Sequence, residues 1–313
     1  MNGKAPWQRL PGGIACIDAG YVAPGIACFY LLRGGNEYAL VETGTAHSLP
    51  NLLATLADLG IEREQLRYVV PTHVHLDHAG AAGLYLREFP RAELLVHPRG
   101  ARHLIDPGKL VASAIGVYGE ARFHELYGEI VPAPADRVRT LEDGESFNVG
   151  GRRLEAVHLR GHAEHHFCLW DETTRGWFTG DMFGISYDYL RLSTGAFVLP
   201  ATTPTQFDPP AYRESIRTLA GRDPAWLYLT HYGALAFDTA QADLLCDQLS
   251  AYETLGRLQG EELDRALRRC TETALQTLVD DEAARALAGE LHMDLALNAQ
   301  GIAWRAQRLA TQP

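Results

Sequence analysis

The stretch P-T-H-V-H-L-D-H-A-G, Pro71 to Gly80, puts three histidines and one aspartate inside six positions, directly after the apolar run Arg67–Val70. On an extended segment leaving a strand, side chains at i and i+2 point the same way, so His73 and His75 can share one ion. Asp77 and His78 follow where the chain turns into a helical pattern, and they would face a neighbouring point. A zinc-like ion takes four or five ligands with one position left for water, so such a cluster needs partners from elsewhere in the chain.

Three later stretches supply them. G-H-A-E-H-H carries His162 in a glycine-flanked turn, F-T-G-D carries Asp181 after an apolar run, and Y-L-T-H-Y-G carries His231 at the end of another. Each sits at the expected end of a strand, where ligands from separate elements converge. H-x-H alone is a weak signal. H-x-H-x-D-H after an apolar strand, followed in order by three more strand-end ligands, is a strong one.

The rest of the chain bounds the reading. Its 313 residues are 46% apolar and 21% charged, ample for a core. A net charge of −11 argues against a nucleic-acid partner, which wants clustered Lys and Arg. No apolar run is long enough to span a bilayer, and no signal peptide is read, so the expectation is a cytoplasmic protein without a membrane partner. Five scattered cysteines without C-x-x-C fit reduced thiols.

Apolar runs predict strands at 14–18, 28–32, 38–42, 67–70, 93–97, 153–158, 167–170, 176–179 and 226–230. Helical patterns fall at 47–59, 79–89, 109–127 and 210–219. This mixture predicts an α/β protein with helices covering sheets. After about Phe237, leucines recur at helical spacing: Leu245, Leu249, Leu255, Leu263, Leu267. The expected division is 1–236 for the main domain and 237–313 for an all-helical appendage, serving as a lid or as the surface of a homodimer.

THVHLDH resembles the signature loop of the metallo-β-lactamase superfamily. GHAEHH resembles that family's Pro-Gly-His turn, with Arg160 where proline is common. TGD resembles its bridging-aspartate motif and THYG its last histidine. The resemblance spans roughly residues 14–235 and implies an αββα sandwich with its site at one sheet edge. It implies two divalent metal ions, zinc first, with iron or manganese as alternatives. His73, His75 and His162 would hold one ion, Asp77, His78 and His231 the other, and Asp181 would bridge them. Asp77 would also act catalytically, orienting the nucleophile and carrying a proton.

Further site residues are softer. Glu42, in the E-T-G turn, is a candidate to orient a ligand. His166 matches the second histidine of the family turn, with His165 as an exposed neighbour. Tyr187 and Tyr189 stand near Gly184, where the lactonases of the family place a tyrosine. His103 and His292 are pocket candidates. Asp181 stands where true metallo-β-lactamases place Cys or His, so antibiotic hydrolysis is not expected. The expected activity is hydrolysis of an ester, lactone or thioester of a small-molecule substrate. The alternatives are non-hydrolytic iron chemistry, ligand sensing, or a phosphodiesterase.

Overall fold

The computed structural model describes residues 6–203 and 205–311. The chain divides into two compact units. One comprises 1–158, 165–180 and 225–234; the other comprises 159–164, 181–224 and 235–313.

The first unit is built on two sheets. Seven strands lie side by side in chain order: β1 (Trp7–Leu10), β2 (Ile14–Asp18), β3 (Cys28–Gly34), β4 (Glu37–Val41), β5 (Leu66–Val70), β6 (Glu93–Val96) and β7 (Val138–Thr140). The first four pair antiparallel and β4 to β7 pair parallel. Parallel neighbours need crossovers, and these are helical. They are α1 (Leu49–Leu59), then α2 (Leu76–Ala79) with α3 (Ala82–Glu88), then α4 (Pro98–Ile105), α5 (Gly108–Tyr118) and α6 (Glu120–Tyr127).

The second sheet contains β8 (Ser146–Val149), β9 (Arg152–His158), β10 (Phe167–Asp171) and β11 (Gly176–Gly180), an antiparallel meander. A short hairpin, β12 (Arg191–Leu192) and β13 (Gly195–Ala196), precedes its last strands, β14 (Trp226–Leu229) and β15 (Gly233–Ala236). β14 returns parallel to β11.

Alternation along the strands sorts side chains into two cores. Cys16, Tyr30, Val41, Val70 and Leu95 of the first sheet meet Phe147, Leu169, Phe178 and Tyr228 of the second. Ile17, Phe29, Leu40 and Val69, on the first sheet's other face, are covered by Leu52, Leu56, Tyr85 and Leu104 of α1, α3 and α4. The second unit holds α7 (Pro209–Ala220), α8 (Thr239–Leu255), α9 (Gly260–Leu275), α10 (Asp281–Glu290) and α11 (His292–Thr311). Its core includes Leu245, Leu249, Tyr252, Leu263 and Leu267. None of the described helices is long and apolar enough to cross a membrane.

Two predicted helices are each broken in two. The 79–89 pattern is α2 and α3, separated at Gly80 and Ala81, because the Asp77–His78 pair already belongs to a first short turn. The 109–127 pattern is α5 and α6, divided at Gly119, whose φ of +77° no helix can carry. The strands β1, β7, β8, β12, β13 and β15, and helix α4, carried no sequence signal strong enough to predict them.

Candidate metal centre

Glu42 leaves the end of β4 with φ +67°, in the left-handed region, and its side chain is 1% exposed. Its carboxylate accepts from the Thr72 backbone N–H at 3.0 Å and from the Thr72 hydroxyl. It also accepts from Thr230 Oγ1 at 3.2 Å and lies 3.1 Å from His78 Nδ1. These groups come from the C-terminal ends of β4, β5 and β14, the end of parallel strands at which α/β folds build sites.

This buried acceptor orients the rings of two histidines. His78 donates Nδ1–H to Glu42, which leaves Nε2 as a lone pair facing Asp77 Oδ2 at 3.6 Å. The single hydroxyl proton of Thr72 goes to Glu42, so His73 Nδ1, 3.0 Å from that hydroxyl, is the donor to it. His73 Nε2 is then the lone pair, 2.8 Å from His75 Nδ1. His231 follows the same pattern: Nδ1 lies 2.8 Å from the Ile26 carbonyl, and Nε2 faces Asp77 Oδ2 at 3.4 Å.

Two donor triads result within the first unit. Glu42, His73 and His78 each offer an atom within 4.8 Å of the others, and so do Asp77, His78 and His231. Imidazoles oriented through one nitrogen, with the other turned toward a carboxylate or a second imidazole, are a donor set that suits a divalent transition metal.

The second unit carries its own pair. His162 Nε2 lies 3.3 Å from Asp181 Oδ2, and His162 Nδ1 lies 2.9 Å from the Ala201 carbonyl. Thr203 Oγ1 donates to the His162 carbonyl at 2.9 Å. That loop is gripped by the buried Asn298 of α11, which donates to the Pro200 carbonyl at 2.8 Å and accepts from Thr202 N at 3.0 Å. Tyr212 of α7 donates to the Asp181 carbonyl.

The His166 ring stacks 4.8 Å from His73. His165 is buried, not the exposed neighbour expected from sequence: β10 begins two residues later and draws it in, 5.6 Å from the His75 ring and 6.3 Å from that of His103. His103 is half-buried, and burial, with Arg102 and Lys109 beside it, lowers its pKa. Tyr187 is buried and donates to Asp294 of α11 at 3.0 Å; burial and that carboxylate push its phenol pKa up. Tyr189 is exposed, 5.6 Å from Tyr187. His292 begins α11 at a cleft of about 540 Å³ shared with Leu263, Arg268 and Leu295.

Sequence reasoning missed Tyr21 and Tyr127. Their rings stack at 6.0 Å with hydroxyls 3.4 Å apart. Burial first, and then the Asp77 carboxylate, push both phenol pKa values up. No motif marks them, because 106 residues separate the pair and neither adjoins the ligand loop in sequence.

The chain belongs to the metallo-beta-lactamase superfamily, whose family description matches residues 23–231. Its fold is that family's α/β fold with a C-terminal helical region. It is 29% identical over 229 residues to the metallo-beta-lactamase fold-containing protein ST1585 of Sulfurisphaera tokodaii, covering 72% of this chain and 80% of that one. The crystal structure of ST1585 superposes with a TM-score of 0.63 over 85% of this chain and 98% of that chain, at 28% identity. The chain is also 31% identical over 209 residues to the human acyl-coenzyme A thioesterase MBLAC2, covering 59% of this chain and 70% of the human one. A third relative is the atrochrysone carboxyl ACP thioesterase of Claviceps purpurea, 27% identical over 154 residues, 49% of this chain and 38% of that enzyme.

Proposed function

We propose that this protein is a dinuclear metal-dependent hydrolase that cleaves an acyl thioester, or a closely related acyl ester, of a small-molecule substrate. The observation that carries the reading is the orientation of the ligand-loop histidines: Glu42 holds His78 directly and His73 through Thr72, each turning its far nitrogen toward a further candidate ligand, Asp77 and His75 respectively. The thioesterase activities named for two relatives support an acyl bond as the one cleaved.

In this reading His73, His75, His162 and Asp181 would hold one ion. Asp77, His78 and His231 would hold the second, with Asp181 as the expected shared ligand and zinc the expected metal. Bound there, the ions would lower the pKa of water toward about 7 and polarise the scissile carbonyl. The protein's own groups do the rest. Asp77 is half-buried, so its carboxylate can orient the attacking water and carry its proton to the leaving thiolate. Glu42 fixes two ligand tautomers, which keeps the donor atoms aimed without rearrangement. Leu76, between two of the proposed ligands and 5% exposed, keeps bulk water from the loop's inner side.

The test is a panel of thioesters, carboxylic esters, lactones and phosphodiesters, assayed with zinc-loaded and with chelator-stripped protein. Zinc-dependent turnover of thioesters above the other classes is expected. Asp181→Ala should lose metal retention and activity together. Protein verified to hold two ions per chain that hydrolyses no acyl bond would overturn the reading.

A further inference from the structure

Helix α5 is at odds with its surroundings. Its sequence, Gly-Lys-Leu-Val-Ala-Ser-Ala-Ile-Gly-Val-Tyr, has one charge, Lys109, yet none of its eleven residues is buried. Val117 is 70% exposed and Tyr118 42%. In a chain of net charge −11, the stretch from Pro107 to Gly119 has no acidic residue. An apolar helix left this open is unusual for a surface element, where one face normally enters the core and the other is polar.

The helix is not isolated from the site. Leu110, Val111, Ala114 and Ile115 lie against a small apolar cluster of Leu76, Phe123, Leu126 and Tyr127, which Tyr21 also joins. Leu76 sits in the ligand loop between His75 and Asp77. An apolar path therefore starts at the loop that carries the proposed ligands, runs past the Tyr21–Tyr127 pair and continues along α5. All of it lies within the first unit.

We propose that α5 and the cluster anchored on Leu76 form the acyl-binding face of this site, and that the preferred substrate carries a medium or long unbranched acyl chain. This rests on the acyl-hydrolase reading and narrows it. The reactive carbonyl lies at the Asp77 end, and the chain lies along Val111 and Ile115, completing the burial that α5 lacks. A neutral polymethylene chain suits a face free of carboxylates, and it gains affinity with each methylene removed from water.

The experiment measures kcat/KM for the acetyl, butanoyl, octanoyl and dodecanoyl thioesters of N-acetylcysteamine. Wild-type, Val111→Asp and Ile115→Asp proteins are compared, with Val111→Ala and Ile115→Ala as milder variants whose melting confirms folding. In the wild type kcat/KM should climb about 100-fold from acetyl to dodecanoyl. In the aspartate variants the climb should shrink to about tenfold or less, with the alanine variants between. Hydrolysis that is flat with chain length, or a climb unchanged in all four variants, overturns the inference while leaving the acyl hydrolase intact. If no thioester is cleaved, the functional reading fails separately, and calorimetric binding of S-dodecyl-N-acetylcysteamine decides this one. Binding at least about tenfold tighter to wild type than to Ile115→Asp supports the face, and equal or absent binding overturns it.

Discussion

Two buried carboxylates in the first unit serve opposite ends. Asp171, at the end of β10, is wholly buried and meets a permanent cation: Arg152 Nε donates to it at 2.9 Å, and Nη2 donates to its second oxygen. Arg152 spends its remaining donors on the Gly12 and Arg33 carbonyls, and Thr173 and Thr174 N–H groups complete the Asp171 shell. That charge is neutralised where it stands, and it ties four chain segments together. Glu42 is as deeply buried but receives only backbone, hydroxyl and imidazole donors. Its charge is passed to histidines, whose other nitrogens face an open donor set. A carboxylate matched to guanidinium holds a fold, whereas one matched to imidazole prepares a place for a cation to be added.

Asp171 is the more costly of the two carboxylates to change. Asp171→Asn leaves Arg152 buried without its counter-charge and should cost about 3–5 kcal/mol. Urea unfolding measures it, and an unchanged midpoint would mean that the pair does not hold the fold. Next comes Gly180, at φ +50°, where a Cβ would sit 2.3 Å from Thr72 Oγ1 and 2.7 Å from His166 Nε2. Gly180→Ala should cost about 2–3 kcal/mol and should also weaken zinc binding, because Thr72 must move off Glu42. A variant that loses stability but keeps wild-type zinc affinity would separate Thr72 from the metal site.

Glu42→Gln sharpens the contrast. It keeps the shape, so stability should change by less than about 1 kcal/mol, while zinc affinity falls about 10–100-fold. Competition with a chromophoric chelator reads the second quantity. Asn298→Ala tests the analogous support in the second unit: releasing the Pro200–Thr203 loop should weaken retention of one ion per chain by about tenfold.

The smallest effect is acid sensitivity away from the ligands. Burial, with His158 4.1 Å away ring to ring, lowers the His97 pKa from 6.5 to about 4. Its folded value lies below the free one, so the unfolded chain takes up the proton first. Stability is full above pH 6.5, declines as pH falls toward 4, and levels off below. His97 also caps α4 by accepting from Arg99 N at 3.0 Å. His97→Asn keeps that acceptor and should remove about 1 kcal/mol of the acid-side loss, read as the change in melting temperature between pH 7 and pH 4.

The central strands were legible because burial on both faces writes itself as unbroken apolar runs, as at Cys28–Leu32 or Phe167–Trp170. Edge strands escaped for the reverse reason. β7 is Val-Arg-Thr, half solvated, and β8 interleaves Ser and Asn with its apolar residues. The motif residues stood out because their chemistry has few other uses at that spacing. Of the groups that aim them, Glu42 was marked as a candidate by its E-T-G turn, and the others are ordinary ones: threonines at strand ends and a helical asparagine. Their meaning comes from contacts 30 to 188 residues apart in the chain. The openness of α5 was invisible for the same reason, since its sequence alone reads as core.

The glycine at position 119 has a consequence for engineering. It turns sharply where a Cβ would meet nothing within 4 Å, and α5 ahead of it has no fully buried side chain and rests on the Leu76 cluster by one half-buried face. The segment between Pro107 and Gly119 is thus a cassette hung on the scaffold. Its outward residues, such as Val117 and Tyr118, can be exchanged while Leu110, Val111, Ala114 and Ile115 keep their contact with Leu76, Phe123, Leu126 and Tyr127, which makes that outer face a natural place to graft a new substrate preference.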